Sequence, residues 1–417
     1  MKSIIDLDLL ADEVEKEAQE YYRAVDKIAL NNHKKILEAF REARVSDFHL
    51  KGSTGYGYGD AGRDALEEVY ARVFGAEKAL VRSQIVSGTH AIALCLYGVL
   101  RPGDELLSVQ GKPYDTLSAM IGNNQHFSGT LKDFLISYQQ VEPASDGGID
   151  YDLVGQALGP KTRMVLLQRS CGYGEGKPLS ILELKKIIAY IREKKPDTVI
   201  FVDNCYGEFV EEEEPTDAGA DLVAGSLIKN PGGGVAPTGG YVVGKEKYVS
   251  MAANRWSAPG IGGEVGPSID NMRLLFQGLY LAPHIVAEAI KGSIFTARFY
   301  EKLGYEVKPL YNEPRYDLVQ QIRLGSPDKV LAFCRGLQAA SPVDSYVRPE
   351  AEQMPGYDDP VVMAAGTFVQ GASLELSADG PLRPPYNVYM QGGLSKEYVR
   401  LAAISAAEAI ATSCNTE

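Results

Sequence analysis

Apolar residues recur along this chain in two periods, and a change of period marks a change of element. Over residues 8–45 the positions Leu10, Val14, Ala18, Tyr21, Tyr22, Ile28, Ile36 and Phe40 keep helical spacing, which predicts a long helix with one buried face. The segment KGSTGYGYGDAG that follows has glycine at every second or third place and reads as loop. RDALEEVYARVFG returns to helical spacing and stops at Gly75.

From about residue 78 to 250, short apolar runs alternate with helical patterns. Strands are predicted at 78–82, 105–109, 134–138, 164–168, 199–203, 222–224 and 241–243, and helices at 90–100, 151–157 and 181–194. Alternation of this kind predicts an α/β domain with a mostly parallel sheet. A long helix is expected over 280–304. The remainder mixes strands and helices and ends in an Ala-rich helix at 396–412. It reads as a second, smaller α+β domain packing with the N-terminal helix. The division expected is an N-terminal helical arm over 1–55, a large domain over 56–290 and a small domain over 291–417.

Composition narrows the function classes. The 417 residues are 45% hydrophobic and 23% charged, an ordinary soluble balance. No apolar run approaches the roughly 18 residues of a membrane span, and the acidic N-terminus does not read as a secretory signal, so a cytoplasmic protein is expected. The net charge of −13 and the lack of a basic patch argue against nucleic acid. Cys95, Cys171, Cys205, Cys334 and Cys414 form no CxxC pair, and no HExxH is present. Neither a disulfide framework nor a structural metal is expected.

Four segments carry candidate chemistry. In VIFVDNCYGEF an apolar strand delivers Asp203 at its carboxyl end, where ligands of open α/β sheets bind. A carboxylate there could hold a cationic ring nitrogen, although by itself such an aspartate is more often a cap or turn residue. In GADLVAGSLIKNPGGG a second strand is followed by Ser226 and Lys229 and then by three glycines. A lysine in that place is poorly set for a surface ion pair. Desolvation is expected to lower its pKa and ready its amine for imine formation, with Ser226 free to donate to a phosphate. Ser87-Gly88-Thr89 opens the apolar helix after the first strand, and a helix N-terminus suits a phosphate, though simple capping is common. Tyr114 follows another strand and could stack on a flat ring, a place more often taken by core. Together these make an anion cradle, a ring stacker, a pyridinium partner and a Schiff-base lysine at successive strand ends. That set points to pyridoxal phosphate. Residues 57–62, GYGDAG, fit the dinucleotide pattern GxGxxG, but the polar lead-in FHLKGST supplies no strand for it.

With those residues in place, the chain resembles the fold-type I pyridoxal-phosphate enzymes of cysteine and methionine metabolism, and within them the methionine γ-lyase-like branch often labelled aluminium resistance protein. QRSCGY (168–173), KNPGGGVAPTGGYVVG (229–244), RWSAPGIGGEVG (255–266), LLFQGLYLAPHIVAEAIKG (274–292) and YMQGGLS (389–395) carry the likeness over most of the chain. The resemblance implies a seven-stranded, mainly parallel sheet, a C-terminal small domain, and a homodimer or homotetramer with shared active sites. It also implies that a tyrosine of the N-terminal loop, Tyr56 or Tyr58, reaches the neighbour's cofactor phosphate. Relatives carry an arginine two residues after that tyrosine, where Tyr58 or Asp60 stands here. They carry threonine just before the lysine, where Ile228 stands here.

The expected activity is β- or γ-elimination on an amino acid, plausibly sulfur-containing, with Lys229 as base, Asp203 on the ring nitrogen and Tyr114 stacking and moving a proton. Arg383, in DGPLRPPY, is the chosen ligand for the substrate carboxylate, with Arg400 and Arg169 as rivals. Transamination, racemisation or side-chain replacement remain open on the same cofactor, as does a non-catalytic cofactor-binding or metal-resistance role. For the last, the four glutamates at 211–214 are the only acidic run, and such a run is usually a solvated loop. Cys171 and Cys205 read as small buried residues, and His90 as a cap or core residue near the phosphate.

Overall fold

The computed structural model describes residues 6–123, 127–170, 172, 176–354 and 359–413. Cys171, Cys414 and part of QRSCGY lie outside the described residues. The chain divides into two compact units, one of residues 32–280 and one of residues 1–31 with 281–417.

Helix α1 (Leu7–Glu42) is followed by a loop and by α2 (Ala61–Val73), which Asp60 caps by accepting from the Arg63 N–H at 3.0 Å. Among the described residues no strand precedes the 57–62 glycines, so their dinucleotide pattern is a loop and a helix cap. The larger unit then alternates strand and helix: β1 (Lys78–Arg82), α3 (Gly88–Val99), β2 (Glu105–Ser108), α4 (Asp115–Ile121), β3 (Ser137–Gln140), α5 (Tyr151–Ala157), β4 (Thr162–Gln168), α6 (Ile181–Lys194), β5 (Val199–Asp203), β6 (Leu222–Ser226), β7 (Gly240–Gly244) and α7 (Glu246–Trp256).

The sheet order is β1-β7-β6-β5-β4-β2-β3. Neighbours from β3 through β6 pair in parallel, and β7 runs against both β6 and β1. The central strands β5, β6 and β7 are buried at every position, as their unbroken apolar runs require. One side of the sheet packs Leu106, Met164, Leu166, Phe201, Leu222 and Val242 against Ala91, Ile92, Cys95 and Val99 of α3. Helix starts follow local chemistry: Ser180 and Glu183 form a capping box on α6, with Ser180 N–H to Glu183 at 2.8 Å and Glu183 N–H to Ser180 at 3.1 Å.

One strand differs from expectation. The pattern placed it at 134–138, whereas β3 occupies Ser137–Gln140. Thr130 and Asp133 bond each other at 3.1 Å and close a turn, Leu135 takes φ +58°, and Phe134 and Leu135 face outward. The turn chemistry of TLKD wins over the β-propensity of Phe-Leu-Ile.

The smaller unit joins both chain ends. Its antiparallel sheet runs β10-β11-β12-β13-β9-β8, from β8 (Glu306–Lys308), β9 (Val319–Arg323), β10 (Ala351–Glu352), β11 (Val361–Ala364), β12 (Ser377–Pro381) and β13 (Asn387–Gln391). Ala11 and Val14 of α1 share its core with Phe295 and Phe299 of α8 (Met272–Lys302), Phe333 of α9 (Pro327–Ala339) and Ala403 of α10 (Lys396–Ser413). Ion pairs Glu17–Arg298 and Asp12–Arg400, at 2.6 and 2.7 Å, line its rim.

Candidate active site

The parallel strands bring several chemistry-bearing residues level at their carboxyl ends. In the ladders Gln168 stands opposite Asp203 and Asp203 opposite Ala224, and Ser226 closes β6 two residues later. Asp203 and Ser226 are buried, while Lys229, Tyr114, Ser87, Gly88 and Thr89 are half-buried. The result is a recess with a buried carboxylate in its floor and an amine and a phenol nearer its mouth.

The approach is close. A Cβ on Gly88 would lie 3.2 Å from Cys205 Sγ and 3.3 Å from Ser226 Cβ, so glycine lets the α3 N-terminus sit against the β5 and β6 ends. Ser87 caps α3, accepting from the His90 N–H at 3.0 Å, and His90 Nδ1 accepts from the Val86 N–H at 3.2 Å. His90 therefore serves the turn, and burial lowers its pKa. Tyr114 is within reach of the Thr89 side chain, and burial, then Asp203 and Cys205, push its phenol well up.

Lys229 Nζ lies over the ring of Tyr206, 3.9 Å from its centre, a cation–π contact. Its electrostatics correct the sequence expectation. Burial does work to lower the Lys229 pKa, but the Cys205, Tyr206 and Asp203 groups around it outweigh burial and hold it above the ordinary lysine range. The amine is thus a cation at neutral pH in the protein alone. Burial raises the pKa of Asp203, opposed by Lys229 and by the Cys205 N–H, which donates to Asp203 Oδ1 at 3.1 Å.

Beneath the recess the glutamate run at 211–214 is not the solvated loop that its composition suggests. Glu212 and Glu213 are exposed, but Glu214 is fully buried. Arg169, also fully buried, binds Glu211 at 2.6 Å and lies 3.7 Å from Glu214. It also donates to Asn204 Oδ1 at 3.3 Å, so this arginine is committed to the floor. Among the described residues, no three His, Cys, Asp or Glu side chains are grouped to hold a metal ion, and no helix is long and apolar enough to cross a membrane.

Tyr56 and Tyr58 are 75% and 70% exposed, their rings 5.6 Å apart on a loop of the larger unit. Arg383 lies in the smaller unit, half-exposed and paired with Asp359 at 3.3 Å. Sequence reasoning missed Tyr206, whose ring underlies Lys229, and the buried Glu208 that follows it. The signal was present in YGEFV, where an acidic residue stands between an αL-prone turn and two large apolar residues.

The residues at the recess have the types that pyridoxal phosphate requires: an amine, a buried carboxylate, an aromatic face, and hydroxyls beside a helix N-terminus. With this sheet and the separate antiparallel sheet, they define the class as fold-type I pyridoxal-phosphate enzymes. The chain belongs to the methionine gamma-lyase family, whose profile matches residues 7–411. It is 51% identical over 401 residues to the uncharacterized protein YnbB of Bacillus subtilis strain 168, covering 96% of this chain and 95% of that one. It superposes with TM-score 0.95 and 49% identity on a Listeria monocytogenes protein provisionally assigned as a cystathionine beta-lyase involved in aluminum resistance, over 97% of this chain and 100% of that one. A carbon-sulfur lyase involved in aluminum resistance from Clostridium novyi NT matches with TM-score 0.92 and 45% identity, over 96% of this chain and 95% of that one. Family and neighbours mark the chain as a pyridoxal-phosphate-dependent, carbon-sulfur-lyase-like protein.

Proposed function

We propose that this chain is a pyridoxal-phosphate lyase that takes a sulfur-containing amino acid, by β- or γ-elimination, to a 2-oxo acid, ammonia and a thiol. The observation that carries the reading is the convergence of Lys229 Nζ and Asp203, with Tyr114 alongside, at the carboxyl ends of β2, β5 and β6. When bound, the cofactor supplies an electron-poor ring that accepts the charge left on a substrate's Cα.

The chain's residues divide the remaining work. Lys229 is the amine that would hold the cofactor, and once free its Nζ is the base for the Cα proton. A cationic group placed beside Asp203 would compete with Lys229 for that carboxylate, and the amine would give up its proton more readily. Asp203 would keep the ring nitrogen protonated. Tyr114 would lie against the ring. Ser87, Gly88, Thr89 and Ser226 would take the phosphate with the free N–H groups of α3. Arg383 would bind the substrate carboxylate. Tyr56 and Tyr58 would serve the phosphate of a neighbouring copy in a cytoplasmic homodimer or homotetramer.

Two measurements test the reading. Purified protein given pyridoxal phosphate should turn yellow, and a screen of sulfur-containing amino acids should release ammonia and a keto acid together. A Lys229→Ala protein that kept both the absorbance and full turnover would end it.

A further inference from the structure

Under the recess lies a layer of buried polar groups that none of the steps above uses, and Glu208 is at its centre. Its side chain is fully buried. Oε1 accepts from the Tyr241 hydroxyl at 2.8 Å, and Oε2 is buried with no hydrogen-bond partner among the described residues. The backbone carbonyl of Glu208 accepts from Asn230 Nδ2 at 2.9 Å, and Asn230 directly follows Lys229. The Tyr241 hydroxyl also accepts from Asn204 Nδ2 at 3.4 Å, and Asn204 directly follows Asp203. A Cβ on Gly225 would fall 2.6 Å from Glu208 Oε1, so the carboxyl lies directly against the backbone of β6. The main chain of Glu208 thus bonds the Lys229 turn, while its carboxyl meets Tyr241 and the backbone of β6 and reaches the Asp203 turn through Tyr241 and Asn204.

Those turns need holding. Tyr206 and Phe209 sit at φ +71° and +62°, and a side chain in the left-handed region costs about 1–2 kcal/mol. Tyr206 is the residue whose ring meets Lys229 Nζ. An ionised Glu208 would leave one charged oxygen unpartnered in the interior, near the buried Glu214, a costly arrangement. A carboxylic acid avoids that cost and still accepts from Tyr241. Burial pushes Glu208 up to about 8, with the Tyr241 hydroxyl and Lys229 pulling the other way.

We propose that Glu208 is a positioning residue: its neutral carboxyl anchors the turn bearing Tyr206 to β6 and β7, which keeps the main-chain carbonyl of Glu208 in place for Asn230 and so holds the Lys229 amine against the ring. The inference rests on reading Lys229 as the cofactor-holding amine. Tyr70 of α2, Tyr241 of β7, Glu214, Cys205 and Lys229 are the titratable groups that face Glu208. Only Lys229 is cationic, so a second negative charge at 208 is poorly matched. As pH rises through about 8, Glu208 ionises and the two turns loosen.

The test is the affinity for pyridoxal phosphate, read by absorbance from pH 6 to 9.5, in the wild type and three variants. Wild-type affinity should fall at least about tenfold more between pH 7 and 9 than that of Glu208→Gln, which has no proton to lose there. At pH 7 Glu208→Ala should bind weakly, and Glu208→Gln should recover most of that loss. Tyr241→Phe removes a bond that favours the carboxylate, so it should move the alkaline midpoint to higher pH. Parallel pH profiles for wild type and Glu208→Gln, or an unmoved midpoint in Tyr241→Phe, overturn the proposal.

If wild-type protein binds no pyridoxal phosphate at any pH, the cofactor reading falls and melting temperatures decide the role of Glu208. Burial raises the Glu208 carboxyl from its ordinary 4.5 to about 8, so its contribution is fully present below about 4.5 and is lost as pH rises through about 8. Wild type should then lose more stability than Glu208→Gln between pH 6 and 9, and equal losses reject the neutral acid.

Discussion

The floor of the recess and the loop carrying Tyr56 and Tyr58 are both pinned by buried acidic side chains, yet they end in opposite ways. In the floor, Asn32 donates to the carbonyls of Phe209 and Glu211 at 3.1 and 3.0 Å, and Phe209 N–H donates to Glu214 at 2.9 Å. Those bonds fold the chain over its own charged groups and bury them. In the loop, Asp60 accepts from the Ser268 hydroxyl at 2.5 Å and from Ser53, while Arg63 donates to the Gly57 carbonyl at 2.7 Å. Gly57 sits at φ +66° with Pro267 2.7 Å from where a Cβ would be. There the backbone is held just as firmly, but the two tyrosines point away from the unit. A backbone can be fixed to hide side chains or to display them, and the difference predicts where substitutions act: in the floor on stability and chemistry, on the loop only on what meets it from outside.

Substitutions can break or sharpen that contrast. The largest effect is expected for Lys229→Ala, with turnover falling about 10⁴-fold or more, as when a reacting group is removed. Ammonia release reads it directly. Next, Arg169→Met takes the cation away from the fully buried carboxylate of Glu214 and the half-buried one of Glu211 and should cost about 3–5 kcal/mol in urea unfolding. A loss under about 1 kcal/mol would mean that the floor carries its charges without this partner. Asp203→Asn keeps the shape and removes the charge, and turnover should drop about a hundredfold with little change in melting temperature. The smallest effect on stability is expected for Tyr56→Phe with Tyr58→Phe, within about 0.5 kcal/mol. Yet that pair should weaken pyridoxal phosphate binding severalfold in the assembled protein. A pair that alters neither stability nor binding removes the loop from the site.

Much of this was legible beforehand. The strand ending at Asp203 appears where its apolar run stops, because a central parallel strand is buried on both faces and tolerates no polar interruption. Helices α5 and α6 start after Asp150 and Ser180, whose side chains cap them. Lys229 stood out because a lysine rarely follows a fully apolar strand into a glycine turn. The sign of its pKa shift did not follow from that placement. Burial was legible from the strand, but Cys205, Tyr206 and Asp203 are set around the amine by two strand ends that lie side by side only in the folded sheet. Strand β3 begins later than the apolar pattern predicts because the Thr130–Asp133 turn overrides that pattern.

The sequence by itself determined what short-range chemistry dictates: element types, most helix caps, the α/β order of the larger unit, and the residue types at the strand ends. Only the tertiary structure decided the order β1-β7-β6-β5-β4-β2-β3 and the fate of the glutamates at 211–214. Burial of a charge depends on which distant groups arrive to solvate it. Arg169 comes from the end of β4 and Asn204 from the end of β5, and no local pattern announces that meeting.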